Sequence, residues 1–271
     1  MGAEAPMRRG PLFLLTLCHF LVDTYSTMLA PILPLLIVKQ GLSNAAAGLL
    51  GTVGALVGMS QPLLGLLADR LQRAPAFVVV GAVLAAVFTP LVGVTPNLSL
   101  TVLVLALGGV GVAAFHPSSF AMASDMGGSR RTFAVALFVF GGTIALGVTP
   151  LWITPFASAH GLQRLPWLAL PGVVLVLVAW RGVPTAARTA APSVRGLLAA
   201  LAPRAPLLLL ITAIVTLRSV TSIAFSTFLG VLEHERGVPV AEAGRLALSL
   251  YLTAGVVGGL IAGYLADRIN R

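Results

Sequence analysis

Eight long apolar segments, separated by short polar stretches, run through this chain of 271 residues. Hydrophobic residues make up 58% of the sequence and charged residues 9%, whereas ordinary soluble domains carry roughly 25% charged residues. An α-helix needs about 20 apolar residues to cross a bilayer, and we predict such spans at 11–37, 44–67, 75–95, 98–123, 132–157, 165–183, 206–231 and 243–266. The chain is therefore predicted to be an all-α polytopic membrane protein.

The net charge of +9 is a topology signal and not a nucleic-acid footprint. With the predicted spans, twelve arginines fall on one side of the membrane and four basic residues on the other. Because basic residues concentrate in cytoplasmic loops, we place both termini in the cytoplasm. We expect a multi-pass protein of the bacterial cytoplasmic (inner) membrane, in contact with the lipid bilayer and not with nucleic acid.

An internal repeat divides the chain into two homologous halves. Residues 65–73 read GLLADRLQR and residues 263–271 read GYLADRINR, while 41–50 matches 237–246 at almost the same offset. An Ala/Pro-rich stretch separates six spans from the last two. We therefore predict an N-terminal six-helix bundle (1–183), a cytoplasmic inter-half loop (184–205) and the first two helices of an incomplete second half (206–271).

The repeated G-x-L-A-D-R-x-x-R pattern, in its place after the second and eighth spans, resembles the major facilitator superfamily. That family has twelve helices in two halves, so we expect a major facilitator fold with about eight of the twelve, C-terminally truncated. The resemblance implies that the motif's charged residues latch the two halves, with Asp125 as a neighbour of the first copy. The gating residues on this view are Gly65, Asp69, Arg70, Arg73, Asp125, Gly263, Asp267 and Arg268.

Three segments are similar to the fosmidomycin-resistance-type branch of that superfamily. They are H-x3-D in the first span (His19 and Asp23), the Phe-His-Pro-Ser of the fourth span, and an antiporter-like fifth span with Gly142, Gly147 and Pro150. The resemblance implies proton-coupled efflux of a small drug or metabolite. Alternatives are a sugar or organic-acid uptake permease of the same fold, or a truncated fragment that transports nothing.

Charges within the apolar spans indicate the candidate pathway. A charged side chain at the membrane centre costs about 2.5–3.5 kcal/mol on insertion scales, so it usually marks a functional route or a pair. Asp23 and Arg218 occupy nearly equivalent depths under the repeat, and we predict that they line one cavity; a structural ion pair is the alternative. His19 lies one turn from Asp23 on the same helix face. His116 and Ser118 add polar groups from the fourth span.

The remaining sequence features do not indicate an enzyme. The sequence shows no metal-ligand cluster, phosphate-binding loop or nucleophile motif, so we expect no cofactor and a proton gradient as the energy source. The expected partners are a small-molecule substrate and protons, and we expect a monomer. Glycine rows in the second and eighth spans, which include Gly51, Gly54 and Gly255, are expected to let helices pack closely.

Overall fold

The computed structural model describes residues 6–182, 196, 199 and 201–269. Its long helices are α1 (Arg9–Thr27), α2 (Leu29–Gln40), α3 (Asn44–Gly58), α4 (Gln61–Arg70), α5 (Ala74–Phe88), α6 (Leu98–Met126), α7 (Arg131–His160), α8 (Ala169–Gly182), α9 (Ala205–Glu235) and α10 (Leu246–Ile269). Short 3₁₀ turns lie at Thr89–Val94, Gly128–Arg130, Leu162–Leu168 and Ala202–Arg204. The predicted all-α class is confirmed.

Within these residues, seven helical stretches are long and apolar enough to cross a membrane, and they coincide with the first seven predicted spans. The eighth span corresponds to α10, whose 24 residues extend about 36 Å at 1.5 Å per residue. Most of the predicted inter-half loop lies outside the described residues, as do the surroundings of Gly263 and the side chains of Asp267 and Arg268 in the second motif copy. The division into two halves stays a prediction.

Proline interrupts the first two spans by the same mechanism. Proline has no amide hydrogen and its ring crowds the carbonyl four residues earlier. Pro31 stands four residues after Thr27, where α1 ends, and Pro62 stands four residues after Gly58, where α3 ends. Each span therefore consists of two helices joined by a short break, α1–α2 and α3–α4.

Two apolar cores fill the bundle, one toward each membrane face. We call the end that bears residues 41–43 and 236–245 the outer end, and the end that bears residues 71–73 the inner end, following the predicted topology. The outer core contains Tyr25, Ile32 and Leu50, and Val231 joins it from the second half. The inner core, around Phe115 and Phe138, draws its buried members from five spans of the first half, those of α1, α5, α6, α7 and α8.

Close backbone contact locks α5 against α6. A methyl group added at Gly81 would lie 2.6 Å from the Gly111 carbonyl oxygen and 2.8 Å from the Phe115 amide nitrogen. Such small residues let membrane helices approach to backbone distance. Because α6 is fixed in this way, the residues of its inner half take a defined position against α1 and α7.

The two predicted halves pack against each other from the outer end to about mid-depth, through what we call the outer seam. Its contacts place Thr227 against Gly51, Phe228 against Gly48, and Thr253 against Gly147. Ser249 also donates a hydrogen bond to the Gly147 carbonyl. In contrast, every residue of α9 from 205 to 218 is exposed. Within the described residues, the halves are therefore joined at the outer end and separated toward the inner end.

Candidate functional site

Two spans, α1 and α6, bring two imidazoles to one carboxylate, forming what we call the His–Asp–His cluster. Asp23 in α1 accepts at both oxygens: Oδ2 lies 3.3 Å from His19 Nε2 and Oδ1 lies 3.2 Å from His116 Nε2 of α6. His19 and Asp23 meet because they are four residues apart on one helix, as the sequence predicts. His116 is brought in by the packing of α6.

Main-chain carbonyls fix the orientation of both rings. His19 Nδ1 donates to the Phe138 carbonyl of α7 at 2.8 Å, and His116 Nδ1 donates to the Val112 carbonyl of its own helix at 2.9 Å. A carbonyl oxygen only accepts, so each Nδ1 carries a hydrogen. The Phe138 ring also stacks on His19 with centroids 4.1 Å apart. Each Nε2 is thereby directed at the carboxylate.

This orientation determines how many protons the cluster holds. With both Nδ1 atoms already donating, each contact between Nε2 and a carboxylate oxygen needs one further proton, on either partner, to be a hydrogen bond. Two contacts need two protons, which gives the cluster a net charge of +1. Loss of one proton makes the cluster neutral. At one of the two contacts, a nitrogen lone pair then faces an oxygen lone pair with no hydrogen between them. The geometry can therefore hold the cluster with either one or two added protons, at a net charge of 0 or +1.

Exposure falls from one side of the cluster to the other. The side chain of His116 is 25% exposed, that of Asp23 14% and that of His19 7%. A cavity of about 340 Å³ is lined by Ser26, Val112, Gln61 and Ser226, among others, and not by the three cluster residues themselves. Two of its lining residues contact the cluster residues: Ser26 donates a hydrogen bond to the Asp23 carbonyl, and the Val112 carbonyl accepts from His116. Since Ser226 belongs to α9, both halves contribute to this cavity.

The antiporter-like glycine of the fifth span has a steric role at this point. A methyl group added at Gly142 would overlap Asp23 Oδ2 and the His19 ring. Only glycine lets α7 approach α1 closely enough for the Phe138 carbonyl to hold His19. Of the two other residues of that segment, Gly147 lies in the outer seam and Pro150 is buried in α7.

Arg218 is not paired with Asp23. The structural ion pair that the sequence left open as an alternative is therefore absent between these two described residues. Both carboxylate oxygens of Asp23 already face histidines. Arg218 instead lines a second cavity, beside Tyr251. The repeat predicted a similar depth for the two charges, but depth alone does not determine which neighbour a side chain faces.

Ser118 does not line the pathway as expected. Its side chain is 1% exposed, and its hydroxyl has no hydrogen-bond partner in the described structure. The serine one position on, Ser119, donates back to the Phe115 carbonyl at 2.7 Å. Of the Phe-His-Pro-Ser segment, His116 is therefore the residue that reaches the cluster, and Ser118 points into packed protein.

The first copy of the gating motif lies at the inner end. Gly65 allows α4 to approach Pro117 of α6, since an added methyl group would lie 3.0 Å from the Pro117 Cβ. Asp69 is half-buried, whereas Arg70, Arg73 and Asp125 are exposed. This placement agrees with a position at the membrane surface, and the latching role of these residues stays a prediction.

The three atoms of the cluster that could ligate a metal ion, one from each residue, lie within 4.8 Å of one another, close enough to contact one cation. However, each nitrogen already faces its own carboxylate oxygen at hydrogen-bond distance, and two protons complete that arrangement. The sequence did not predict the two main-chain acceptors that orient the histidine rings, the carbonyls of Val112 and Phe138. Main-chain acceptors carry no residue-type signal, and only the packing of α1 against α7 reveals them.

Comparison with known proteins agrees with this architecture. The family model described as Major Facilitator Superfamily matches residues 15–271. A bacterial homologue of the human lysosomal transporter Spinster, solved inward-facing and unoccupied, superposes with a TM-score of 0.75 at 19% identity over 98% of this chain and 64% of that one. The peptide transporter POT in complex with sulfate gives a TM-score of 0.59 at 19% identity, over 85% of this chain and 52% of that one. No curated protein matches this chain.

The chain belongs to the Major Facilitator Superfamily. It spans less than two thirds of the length of these solved relatives. At such low identity the relatives show the shared fold alone.

Proposed function

We propose that this protein is a secondary active transporter, and not an enzyme, that exports a small drug or metabolite in exchange for protons. The observation that carries the proposal is the His–Asp–His cluster, a one-proton site beside a cavity that both halves line. Ionisable residues within membrane spans are expensive and typically belong to proton relays or substrate pathways.

The shape of the bundle supports an alternating-access role. The outer seam is closed and the inner half of α9 is exposed, an inward-facing arrangement if the positive-inside assignment holds. The Spinster homologue, solved in an inward-facing conformation, shares this fold. In such a state the cluster exchanges its proton with the cytoplasm through the cavity and His116.

Proton release also changes how the spans are held together. The contact between Asp23 and His116 joins α1 to α6, and that between His19 and the Phe138 carbonyl joins α1 to α7. When the cluster loses a proton, one of its two internal contacts becomes repulsive. A change of charge at one carboxylate is thereby linked to the packing of three spans, which is what coupled transport requires.

The finer assignments come from the sequence. The efflux direction and the fosmidomycin-resistance-type branch rest on the H-x3-D, Phe-His-Pro-Ser and antiporter-like segments. We further propose a monomer in the bacterial inner membrane with both termini cytoplasmic. Uptake of a sugar or organic acid on the same fold is the alternative that the test must separate.

Membrane vesicles of known orientation test both transport and direction. Inside-out vesicles with an acidic lumen should accumulate labelled fosmidomycin while luminal protons leave. Asp23→Asn, which keeps the shape of the side chain but removes its charge, should abolish both fluxes. Glu235→Gln, which removes an exposed carboxylate at the outer end, should leave them unchanged.

The opposite results are equally informative. Accumulation of sugar or organic acid in right-side-out vesicles with acidic medium would favour the uptake permease. Gradient-driven flux that survives in Asp23→Asn would show that the cluster does not carry the coupling proton. Absence of any flux in both orientations would contradict transport by this chain.

A further inference from the structure

Both histidines of the His–Asp–His cluster have the outer hydrogen bonds that are typical of metal-ligating histidines. A metal ion binds the lone pair of a neutral imidazole nitrogen, and the hydrogen on the other ring nitrogen usually goes to a carbonyl or carboxylate, which fixes the tautomer. Here the Phe138 carbonyl accepts from His19 Nδ1 and the Val112 carbonyl accepts from His116 Nδ1. Both Nε2 atoms are therefore left to bind a ligand beside the Asp23 carboxylate.

The spacing of the three side chains fits the coordination of Zn²⁺. Zinc holds imidazole nitrogen at about 2.0–2.1 Å and carboxylate oxygen at about 2.0–2.2 Å, usually in a tetrahedron, so a nitrogen and an oxygen on one ion lie about 3.4 Å apart. The contact between His19 and Asp23 measures 3.3 Å and that between His116 and Asp23 measures 3.2 Å. Charge-assisted hydrogen bonds between nitrogen and oxygen are shorter, at about 2.7–2.9 Å. The two contacts thus have the length expected between neighbouring ligands of one zinc ion.

A small movement of one ring completes the coordination. All three ligand atoms lie within 4.8 Å of one another. Two nitrogens on one zinc ion lie about 3.4 Å apart, so the two rings close by up to about 1.4 Å. His116 is the ring with space to move, since its side chain is 25% exposed and that of His19 is 7% exposed. The exposed side of the cluster leaves the fourth position open for water, as in zinc sites with three protein ligands.

The net charge of the cluster is the same with zinc as with two added protons. With two protons the charge is +1, and Zn²⁺ with an ionised Asp23 and two neutral histidines also gives +1. One divalent ion therefore replaces two protons without adding charge inside a membrane span, where charge is expensive. Two imidazoles and a carboxylate suit zinc and related transition metals, whereas Mg²⁺ and Ca²⁺ take oxygen ligands.

We propose that the His–Asp–His cluster is a Zn²⁺ site with His19, Asp23 and His116 as its three protein ligands. The ion takes the place of the protons at the two contacts, so the cluster holds either zinc or protons. A zinc-loaded cluster has no proton to exchange, and zinc therefore inhibits any process that needs that proton. Binding itself requires no gradient and no transported molecule.

Titration calorimetry of the full chain, purified without a polyhistidine tag in phosphatidylcholine nanodiscs, tests the site with zinc chloride. The parent should bind one Zn²⁺ per chain and no Mg²⁺. His116→Gln and Asp23→Asn should each weaken zinc binding at least about tenfold, since even the loss of an outer hydrogen-bond partner costs metal sites about 10–100-fold. The sequence has four histidines, and the two outside the cluster are exposed. Their joint replacement, His160→Gln with His234→Gln, is the matched control and should bind zinc as the parent does.

Two further measurements separate a lost ligand from a lost fold. Zinc should raise the melting temperature of the parent and of the control, because it binds the folded state, but not that of His116→Gln. Co²⁺ bound to the parent should show the visible absorption of tetrahedral nitrogen and oxygen ligation, which requires no variant at all. A spectrum of aqueous Co²⁺, a parent that binds no zinc, equal zinc affinity in the parent and His116→Gln, or loss of binding in the control would each overturn the assignment. None of these readouts involves flux, so the proposed transport function stands or falls separately.

Discussion

The contacts of the outer seam predict that Gly51→Ala shifts the balance between the closed and the open outer end. In Gly51→Ala the new methyl group would overlap the Thr227 side chain and lie 3.0 Å from its Cβ. Carbon atoms in good contact are about 3.5–4.0 Å apart, and the nearest Thr227 carbon, Cγ2, would lie 2.5 Å from the new methyl group, so α3 and α9 must separate by roughly 1–1.5 Å. Overpacking of this kind typically costs about 1–3 kcal/mol. The closed outer end should lose a factor of about 5–150 in population relative to open states.

Gly54→Ala is the matched control, one turn along the same helix. A methyl group at Gly54 meets nothing within 4 Å. Both substitutions gain the same helix propensity of roughly 1 kcal/mol, so their difference isolates the seam contact. Adding Thr227→Ala to Gly51→Ala removes the two side-chain atoms that overlap most and should restore part of the closed population.

The assay is a distance distribution between spin labels across the outer end. Labels at Ala45→Cys and Arg236→Cys, both exposed positions, report the separation of α3 and α9 when the single native cysteine is replaced by Cys18→Ala. The long-distance component should grow in Gly51→Ala and remain at the parent level in Gly54→Ala. If the two variants give the same distribution, the seam does not hold the outer end closed.

The other predictions concern the interior of the first half. Gly142→Ala inserts a methyl group against Asp23 and should abolish gradient-driven flux in vesicles while the protein still elutes as a folded species; normal flux would contradict the steric argument. Ser118→Ala removes a buried hydroxyl without a partner, whose desolvation costs about 1–3 kcal/mol, so the melting temperature should stay or rise, and a clear fall would show a missed partner. Tyr25→Phe deletes the 2.7 Å hydrogen bond to the Leu168 carbonyl and should lower the free energy of unfolding by about 1 kcal/mol in a denaturant titration, whereas an unchanged midpoint would refute that contribution.

Hydropathy and the repeated motif were enough to predict the membrane spans and the fold, because both depend on patterns along one chain. The His19–Asp23 pair was also predictable, since a four-residue spacing on a helix places two side chains on one face. The third member, His116, was identified only as a polar group in another span. Its contact with Asp23 depends on how α6 is rotated against α1, and the glycines of α5 and α6 set that rotation through backbone contact.

Arg218 is a second example of a contact that depends on helix rotation and could not be predicted from the sequence. The repeat predicted its depth correctly but not its direction, so the pairing with Asp23 was left open and the structure places histidines there instead. The glycine rows were equally ambiguous. Gly51 and Gly54 have the same spacing pattern in the sequence, yet one packs against Thr227 and the other meets nothing.

The outer seam and the charged motif at the inner end differ in their chemistry. The outer seam consists of close contacts between uncharged side chains and glycine backbone, together with a hydroxyl–carbonyl hydrogen bond. The inner end bears the charged motif residues Asp69, Arg70 and Arg73. Salt screens charges over about 8 Å at physiological ionic strength but leaves dispersion contacts unchanged. Ionic strength and lipid surface charge therefore act on the motif residues at the inner end, whereas the fit of single methyl groups decides the contacts of the outer seam.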